Sequence, residues 1–391
     1  MAKPNFILPN KPAIKAGSIL SYNYTDDLKF AAEPLDFSRN GSATRVNEQG
    51  LIETTSANIS RIDYSDSSTE PSLLLEPQST NLVTQSNDLT SSWDGYSFSG
   101  GTMSSNYGFL SPDGSNNATR LTYTNTSAGT GGALLTQNLT LVANAVYTIS
   151  FWAKNVSGQK RIRLDLKNSS SVGVSGTSFE LTNEWKKYNH TLTNDNSTAR
   201  GVQIRIIDSQ FAGNRVFDMW GVQLEQAGFG TSTIPTNGST VTRLGETADN
   251  AGGAGVFNSE EGVLYAEIAA LADDGTNRRI TLSDGTNENR VVIGYNTTSN
   301  RIFYFINVGG STVASGHYTS SDVTQFSKVA VLFKLNDYAL WVDGIERHTD
   351  TSGTIFSADT LNSLQFKSPI VTANFFGKTK NLKVFNYALT D

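Results

Sequence analysis

From about Thr80 to Glu225 the chain alternates between apolar and polar residues in short runs, each closed by Gly, Asn, Asp or Ser. A period of two is the repeat of a β-strand with one greasy and one wet face, because successive side chains leave the pleat on opposite sides. The clearest runs are Tyr147 to Lys154, Arg161 to Lys167, Trp185 to Leu192, Val202 to Ile207 and Val216 to Glu225. Tyr147, Ile149 and Phe151 share one side, as do Ile162, Leu164 and Leu166, and Val202, Ile204 and Ile206. That pattern predicts a two-sheet sandwich over 80–228.

A Gly/Thr/Ser-rich passage, 229–255, breaks the alternation and reads as a linker. A second β unit is predicted over 256–391, with strands at Val263 to Ala270, Arg278 to Ser283, Arg290 to Tyr295, Arg301 to Val308, Lys328 to Leu335, Tyr338 to Val342, Ser363 to Phe366 and Leu382 to Tyr387. Asp284-Gly285 and Asp343-Gly344 are turn pairs that accept the positive φ angles of a type I′ hairpin. Residues 1–79, with three prolines in the first twelve, predict an extended arm that orders by lying on the first sandwich or on a partner molecule. The expected fold is therefore all-β: an extended N-terminal arm and two antiparallel β-sandwiches of jelly-roll type.

Composition supports that class. Of 391 residues, 37% are hydrophobic and 17% charged, and uncharged turn formers fill the difference. A net charge of −6 without a basic run argues against nucleic acid as a partner. The first twelve residues lack the apolar core of a secretory signal, and no apolar span is long enough for a transmembrane helix, so neither an export address nor membrane insertion is expected. With no cysteine, disulfides, thiolate nucleophiles and Cys-ligated zinc are excluded, and apolar cores must hold the sandwiches.

Catalytic signatures are sparse. Gly-x-Ser-x-Gly, His-Glu-x-x-His and a complete Gly-x-Gly-x-x-Gly are absent; Gly377-Lys378-Thr379 ends like a phosphate loop but has Thr372 in place of its first glycine and reads as a polar turn. His190 shares a strand face with Tyr188 and Leu192, which predicts a hydrogen-bonded core histidine; His317 and His348 read as solvated turn residues. Asp113-Gly114-Ser115-Asn116-Asn117 and Asp284-Gly285-Thr286-Asn287-Glu288 carry enough oxygen for Ca²⁺ but match no EF-hand spacing and read as Asx-turns. No catalytic residue, metal or cofactor is assigned.

The positive signal is a set of outward side chains on the first sandwich. If Ile149 and Phe151 face the core, Trp152 faces out; by the same parity so do Arg163 and Asp165, and Gln203 and Arg205. Should their strands share a sheet, these five would line one surface, with the indole as a stacking platform for a sugar ring and the polar groups as partners for hydroxyls. The competing reading packs Trp152 against the arm or a neighbouring subunit. Trp93 and Tyr96, in a Gly/Ser-rich loop, form a second glycan-binding candidate, against which stands a hydrophobic plug.

Three stretches resemble modular bacteriophage virion proteins such as head and tail fibres. Leu35-Asp36-Phe37-Ser38-Arg39, Ala43-Thr44-Arg45-Val46, Gly50-Leu51-Ile52, Arg61-Ile62-Asp63-Tyr64 and Leu73-Leu74-Leu75-Glu76-Pro77-Gln78-Ser79-Thr80-Asn81-Leu82 look like a module that precedes β-sandwiches in such proteins. Ser111-Pro112-Asp113-Gly114, the Tyr147 to Lys154 run, Trp185-Lys186-Lys187-Tyr188 and Trp220-Gly221-Val222-Gln223-Leu224-Glu225 resemble carbohydrate-binding-module sandwiches, and Ile234-Pro235-Thr236 with Val241-Thr242-Arg243 resembles the linker that follows them. Ala339-Leu340-Trp341-Val342-Asp343-Gly344 and the last ten residues are similar to the end of a concanavalin-like or laminin-G-like sandwich, without the Glu-x-Asp-x-x-Glu strand of enzymes on that fold.

The resemblance implies a virion surface protein, assembled in the host cytoplasm, whose arm contacts other virion proteins and whose sandwiches meet host-surface polysaccharide. Weak single contacts would then be multiplied in a homo-oligomer, plausibly a trimer. A purely structural decoration or assembly protein without sugar binding is the alternative reading, and a polysaccharide depolymerase the third.

Overall fold

The structure, a computed structural model, describes residues 6–9, 14–15, 18–24, 30–67, 69–97, 101–125, 132–168, 173–194, 199–207, 214–253, 255–369 and 373–389. Among these every regular element is a β-strand, so the chain is all-β and its sheets are antiparallel. It divides into two compact units, one of residues 51–53 and 78–243, the other of 1–50, 54–77 and 244–391.

The 78–243 unit is a sandwich of two sheets. Its front sheet runs Asp94–Ser97, Gly132–Asn138, Ala199–Ile207, Arg161–Asn168, Gly173–Glu180; its back sheet runs Gly101–Leu110, Asn116–Asn125, Arg215–Glu225, Val146–Gly158, Lys186–Thr193. Between them lie Leu135, Ile162, Leu164, Leu166, Val202 and Ile204 from the front, and Tyr147, Ile149, Phe151, Tyr188 and Leu224 from the back. Phe151 stacks on Tyr188 at 5.4 Å and meets Phe179 edge-on at 5.1 Å, geometries that aromatic quadrupoles favour. The strand parity expected from the sequence is therefore the parity of the core. At Gly221, with φ +63°, the Arg215–Glu225 strand carries an extra residue against Val146–Gly158; glycine supplies the left-handed conformation of such a bulge, and the strand bends there.

After this sandwich the chain does not run free. Glu225 is fully buried and accepts hydrogen bonds from Ser79 Oγ (2.6 Å), Gln223 Nε2 (2.6 Å), and Thr231 N and Oγ1 (2.9 and 2.5 Å). Val241–Arg243 pairs with Ser79–Asn81, and Thr247–Asp249, in the other unit, pairs with Phe30–Ser38. The expected 229–255 linker is thus built into the two units. Its low apolar content concealed this, since it is tied down by hydroxyl and amide bonds to buried partners.

In the other unit a twelve-stranded sheet contains Phe6–Leu8, Gly377–Phe385, Glu261–Ala270, Ser327–Lys334, Asp337–Val342 and Ile345–Asp350 in that order, with Ser72–Leu75 also on Gly377–Phe385. A five-stranded sheet, ordered Ser311–Thr319, Arg301–Val308, Arg290–Tyr295, Arg278–Ser283, Ser363–Gln365, completes the sandwich. Asp343 and Gly344 both have positive φ and close the two-residue hairpin between Val342 and Ile345, as the dipeptide predicts. Asp284-Gly285 does not make the two-residue turn: the strands part at Ser283 and Arg290, leaving a six-residue loop.

The extended arm expected over 1–79 is replaced by strands of this unit. Phe6, Leu8, Leu35, Phe37, Leu73 and Leu75 are buried in one cluster with Phe257, Leu264, Leu382 and Val384. They lie in short apolar stretches, too brief to signal a strand alone, and the burial is supplied by partners more than 180 residues away in sequence. Gly377-Lys378-Thr379 also lies in a strand, where Lys378 Nζ pairs with Asp66 (2.6 Å).

A buried ionic cluster ties this unit's early segments to residue 246. Glu246 accepts from Arg39 Nη1 (2.6 Å), Arg61 Nε (2.9 Å), Arg61 Nη2 and the Glu76 backbone N–H (2.9 Å), and Arg61 Nη1 also reaches Glu76 (2.7 Å). Removing one member of such a cluster leaves charge buried without compensation. Glu246→Ala is expected to destabilise this unit by about 3–5 kcal/mol, measured by urea unfolding.

Candidate functional site

The outward face of the front sheet carries two polar rows. Asp94 pairs with Thr136, Thr136 with Gln203, Gln203 with Asp165, and Asp165 with Gly176. In the adjacent row, Tyr96 pairs with Leu134, Leu134 with Arg205, Arg205 with Arg163, and Arg163 with Ser178. Arg163, Asp165, Gln203 and Arg205 are therefore brought together as parity suggested, and Tyr96 joins them by strand position. The side chains of Tyr96 and Arg205 lie outside the described residues.

Arg163 donates from Nε to Asp165 Oδ1 (2.7 Å) and from Nη2 to the Gly176 carbonyl (3.3 Å). The arginine is partly exposed while Asp165 is fully buried, so the carboxylate acts as a fixed anchor that orients an accessible fork. Gly176 has no room for a side chain, because a Cβ there would sit 2.1 Å from the Leu164 carbonyl and 2.5 Å from Asp165 Oδ1. Thr136 and Gln203 are also fully buried, and Thr136 Oγ1 has no hydrogen-bond partner among the described residues. Lys167 completes the floor; burial lowers its pKa, partly opposed by the charge of Asp94. Asp94 and Thr136 lie on strands whose sequences offer no long alternation, and Lys167 continues the outward parity of Arg163 and Asp165.

Trp152 does not belong to this surface. Its strand is in the back sheet, where the indole donates to Thr233 Oγ1 (3.1 Å) and the Cδ1 edge approaches Gly221. The same face is crossed by the chain's own segment after the sandwich: Thr148 Oγ1 donates to the Ala227 carbonyl, Thr191 Oγ1 to Gly228 and Lys187 Nζ to Thr231. The expected five-residue surface thus splits between two sheets, a pairing that period-two parity cannot reveal. Trp93 is also corrected: it is buried in the sandwich core, with Nε1 donating to the Gln85 carbonyl (2.9 Å), and so takes the plug role.

The oxygen-rich turns satisfy themselves. Asp284 accepts from Thr286 N and Oγ1 and from Asn289 Nδ2, and Asp113 from Ser111, Ser115 and Asn117. Burial alone would raise both pKa values, but these bonds outweigh it and hold the carboxyls below their usual range. Among the described residues no three His, Asp or Glu side chains gather as a metal site. His348, expected in a solvated turn, is half-buried on a strand and meets the Tyr304 hydroxyl at 3.2 Å. His190, expected as a hydrogen-bonded core histidine, is only half-buried, and its ring takes no hydrogen bond among the described residues.

With the face described, similarity can be placed on it. Residues 82–209 match the family model of carbohydrate binding domains CBM_4_9, which covers both polar rows. No curated protein sequence matches the chain. Similar solved structures include a CBM4 module (22% identity, 37% of this chain and 94% of that one, TM-score 0.28) and tailspike protein 4 of bacteriophage CBA120 (15% identity, 37% and 21%, TM-score 0.27). The mouse laminin α1 LG4-5 domains also match (10% identity, 66% and 91%, TM-score 0.27). The chain spans about a fifth of the tailspike's length.

Burial, reinforced by the positive charge of Arg163, pushes the His190 imidazole below its usual 6.5. Folded protein then binds fewer protons than unfolded protein just below that value, so this residue's contribution is complete above about pH 6.5 and is lost on acidification. Urea unfolding at pH 7.5 and 5.5 should show a loss of stability on acidification that is smaller in His190→Gln.

Proposed function

We propose that the chain is a non-catalytic, glycan-binding surface protein of a bacteriophage particle, and that it holds polysaccharide on the front sheet of the 78–243 sandwich. The observation that carries this reading is an oriented, partly exposed Arg163 beside a buried floor of Asp165, Gln203 and Thr136. A fixed and accessible guanidinium fork matches vicinal hydroxyls. The carbohydrate-binding family match over the same residues supports it.

Binding without turnover fits the carboxylates on this face. Asp94 and Asp165 stand three strand spacings apart, about 14 Å, whereas glycoside hydrolysis uses carboxyl pairs about 5–9.5 Å apart. The virion assignment rests on the sequence resemblance of the 35–82 stretches. Attachment to other virion proteins and a homo-oligomeric form, which would raise avidity for repeated sugar units, belong to the same proposal.

Glycan-array and calorimetric measurements on the full chain test it. Arg163→Ala or Gln203→Ala should weaken binding by about tenfold or more, and Trp152→Ala should leave affinity unchanged in protein that melts cooperatively. Loss of affinity in Trp152→Ala with retention in Arg163→Ala would move the site to the back sheet and overturn the proposal. Polysaccharide viscosity should stay constant on incubation with the protein.

A further inference from the structure

The five-stranded sheet of the other unit has an outward face with an unusual charge pattern. Register places Arg279 beside Gly294 and Gly294 beside Phe303; the next row holds Thr281, Val292 and Phe305, and the next Ser283, Arg290 and Asn307. Gly294 sits between Arg279 and Phe303 with no room for a side chain, since a Cβ there would meet the Arg278 carbonyl at 2.0 Å. Across it the Arg279 guanidinium lies 5.9 Å from the Phe303 ring and 5.4 Å from Phe305, two rings stacked at 5.9 Å. The Arg290 guanidinium lies 4.8 Å from Phe305, so both cations share one aromatic ring.

Neither cation has a carboxylate among the described residues. Arg39 and Arg61 are neutralised by Glu246 and Glu76 together, while Arg120 pairs with Asp218 and Arg278 with Asp274. Arg290, 9% exposed, has Asn287 and Ser368 as neutral partners, and Arg279 makes no hydrogen bond among the described residues. The Nε atoms of both are buried without a partner, as is Thr281 Oγ1 in the row between them. Desolvation lowers the pKa of both guanidinium groups, and Arg279 further lowers that of Arg290, which reports two like charges held close together. A folded protein keeps such a pair at a cost that an anion between them would remove.

We propose that Arg279 and Arg290, with Thr281 between them, form a binding site for the carboxylate or sulfate group of an acidic polysaccharide. Paired guanidinium forks stiffened by stacking on Phe305 match planar or tetrahedral oxyanions. The net charge of −6 disfavours a polyphosphate duplex, whereas a glycan presents its anions singly along the chain. That a saccharide carries the anion rests on the glycan-binding reading above; that the site takes an anion does not.

Affinity electrophoresis of the full chain through gels containing polygalacturonate, dextran sulfate or neutral dextran, with thermal melting in inorganic sulfate, tests the proposal. At least one anionic polymer should retard the protein, with a dissociation constant at least tenfold weaker in R279Q/R290Q. K334Q, which removes a positive charge elsewhere in the unit, should bind it as the parent does. Sulfate should raise the melting temperature of the parent and not of R279Q/R290Q, which melts no lower than the parent without anion. Equal retardation in all three gels, or unchanged binding and sulfate response in R279Q/R290Q, overturns the site. A sulfate response through this pair without retention by either anionic polymer overturns the saccharide assignment and leaves the front-sheet reading standing.

Discussion

A sandwich without disulfides is held together by what its two sheets bury between them, at about 25 cal/mol per Å² of apolar surface removed from water. The central strands therefore give one of their two parities to the core. Ile162, Leu164 and Leu166 do so on one strand and Val202 and Ile204 on its neighbour. The opposite parity is released from that duty, and recognition chemistry can collect there without disturbing the fold. Arg163, Asp165 and Gln203 occupy released positions in the first sandwich, and Arg279, Thr281 and Arg290 in the second.

This division of labour explains what could be read in advance. Strands rich in β-branched and aromatic residues, such as Arg301–Val308, coincide with their sequence pattern because their core parity is long and unbroken. Gly101–Leu110 and Gly173–Glu180 went unread because Ser, Thr, Asn and Gly fill their positions and leave little alternation to detect. The N-terminal strands were missed for a different reason: Phe6 and Leu8 are buried through Gly377–Phe385, a partner from the far end of the chain that no local window contains. Thus parity separates core positions from the opposite face while leaving open which sheet each strand enters. Arg163 and Gln203 meet, whereas Trp152, equally outward, belongs to the other sheet.

The buried carboxylates of Glu225 and Glu246 obey a second rule, that a polar atom withdrawn from water is costly unless it finds a partner. Glu225 and Glu246 satisfy it with several donors each, and in doing so they fasten segments that composition alone marks as linker or arm. Low hydrophobicity was misleading there because anchoring through buried carboxylates needs threonine, arginine and serine, the residues that also populate free loops. Asp165 serves the same end on the front face, where the bond it fixes belongs to an arginine that still reaches solvent.

Sheet coverage then selects between the two outward faces of the first sandwich. An exposed indole would be the obvious stacking platform for a sugar, yet Trp152 is half-buried, and Thr233 binds its Nε1 while Thr148, Thr191 and Lys187 hold the adjacent chain segment across the same sheet. Displacing that segment to admit a ligand would break all four bonds and uncouple Thr231 from Glu225. The front face needs no such displacement at Arg163, whose guanidinium is both oriented and accessible. An affinity site gains most when its groups are ordered before the ligand arrives, since the ordering entropy is then spent in folding and not in binding. On that criterion the charged row outranks the more conspicuous tryptophan.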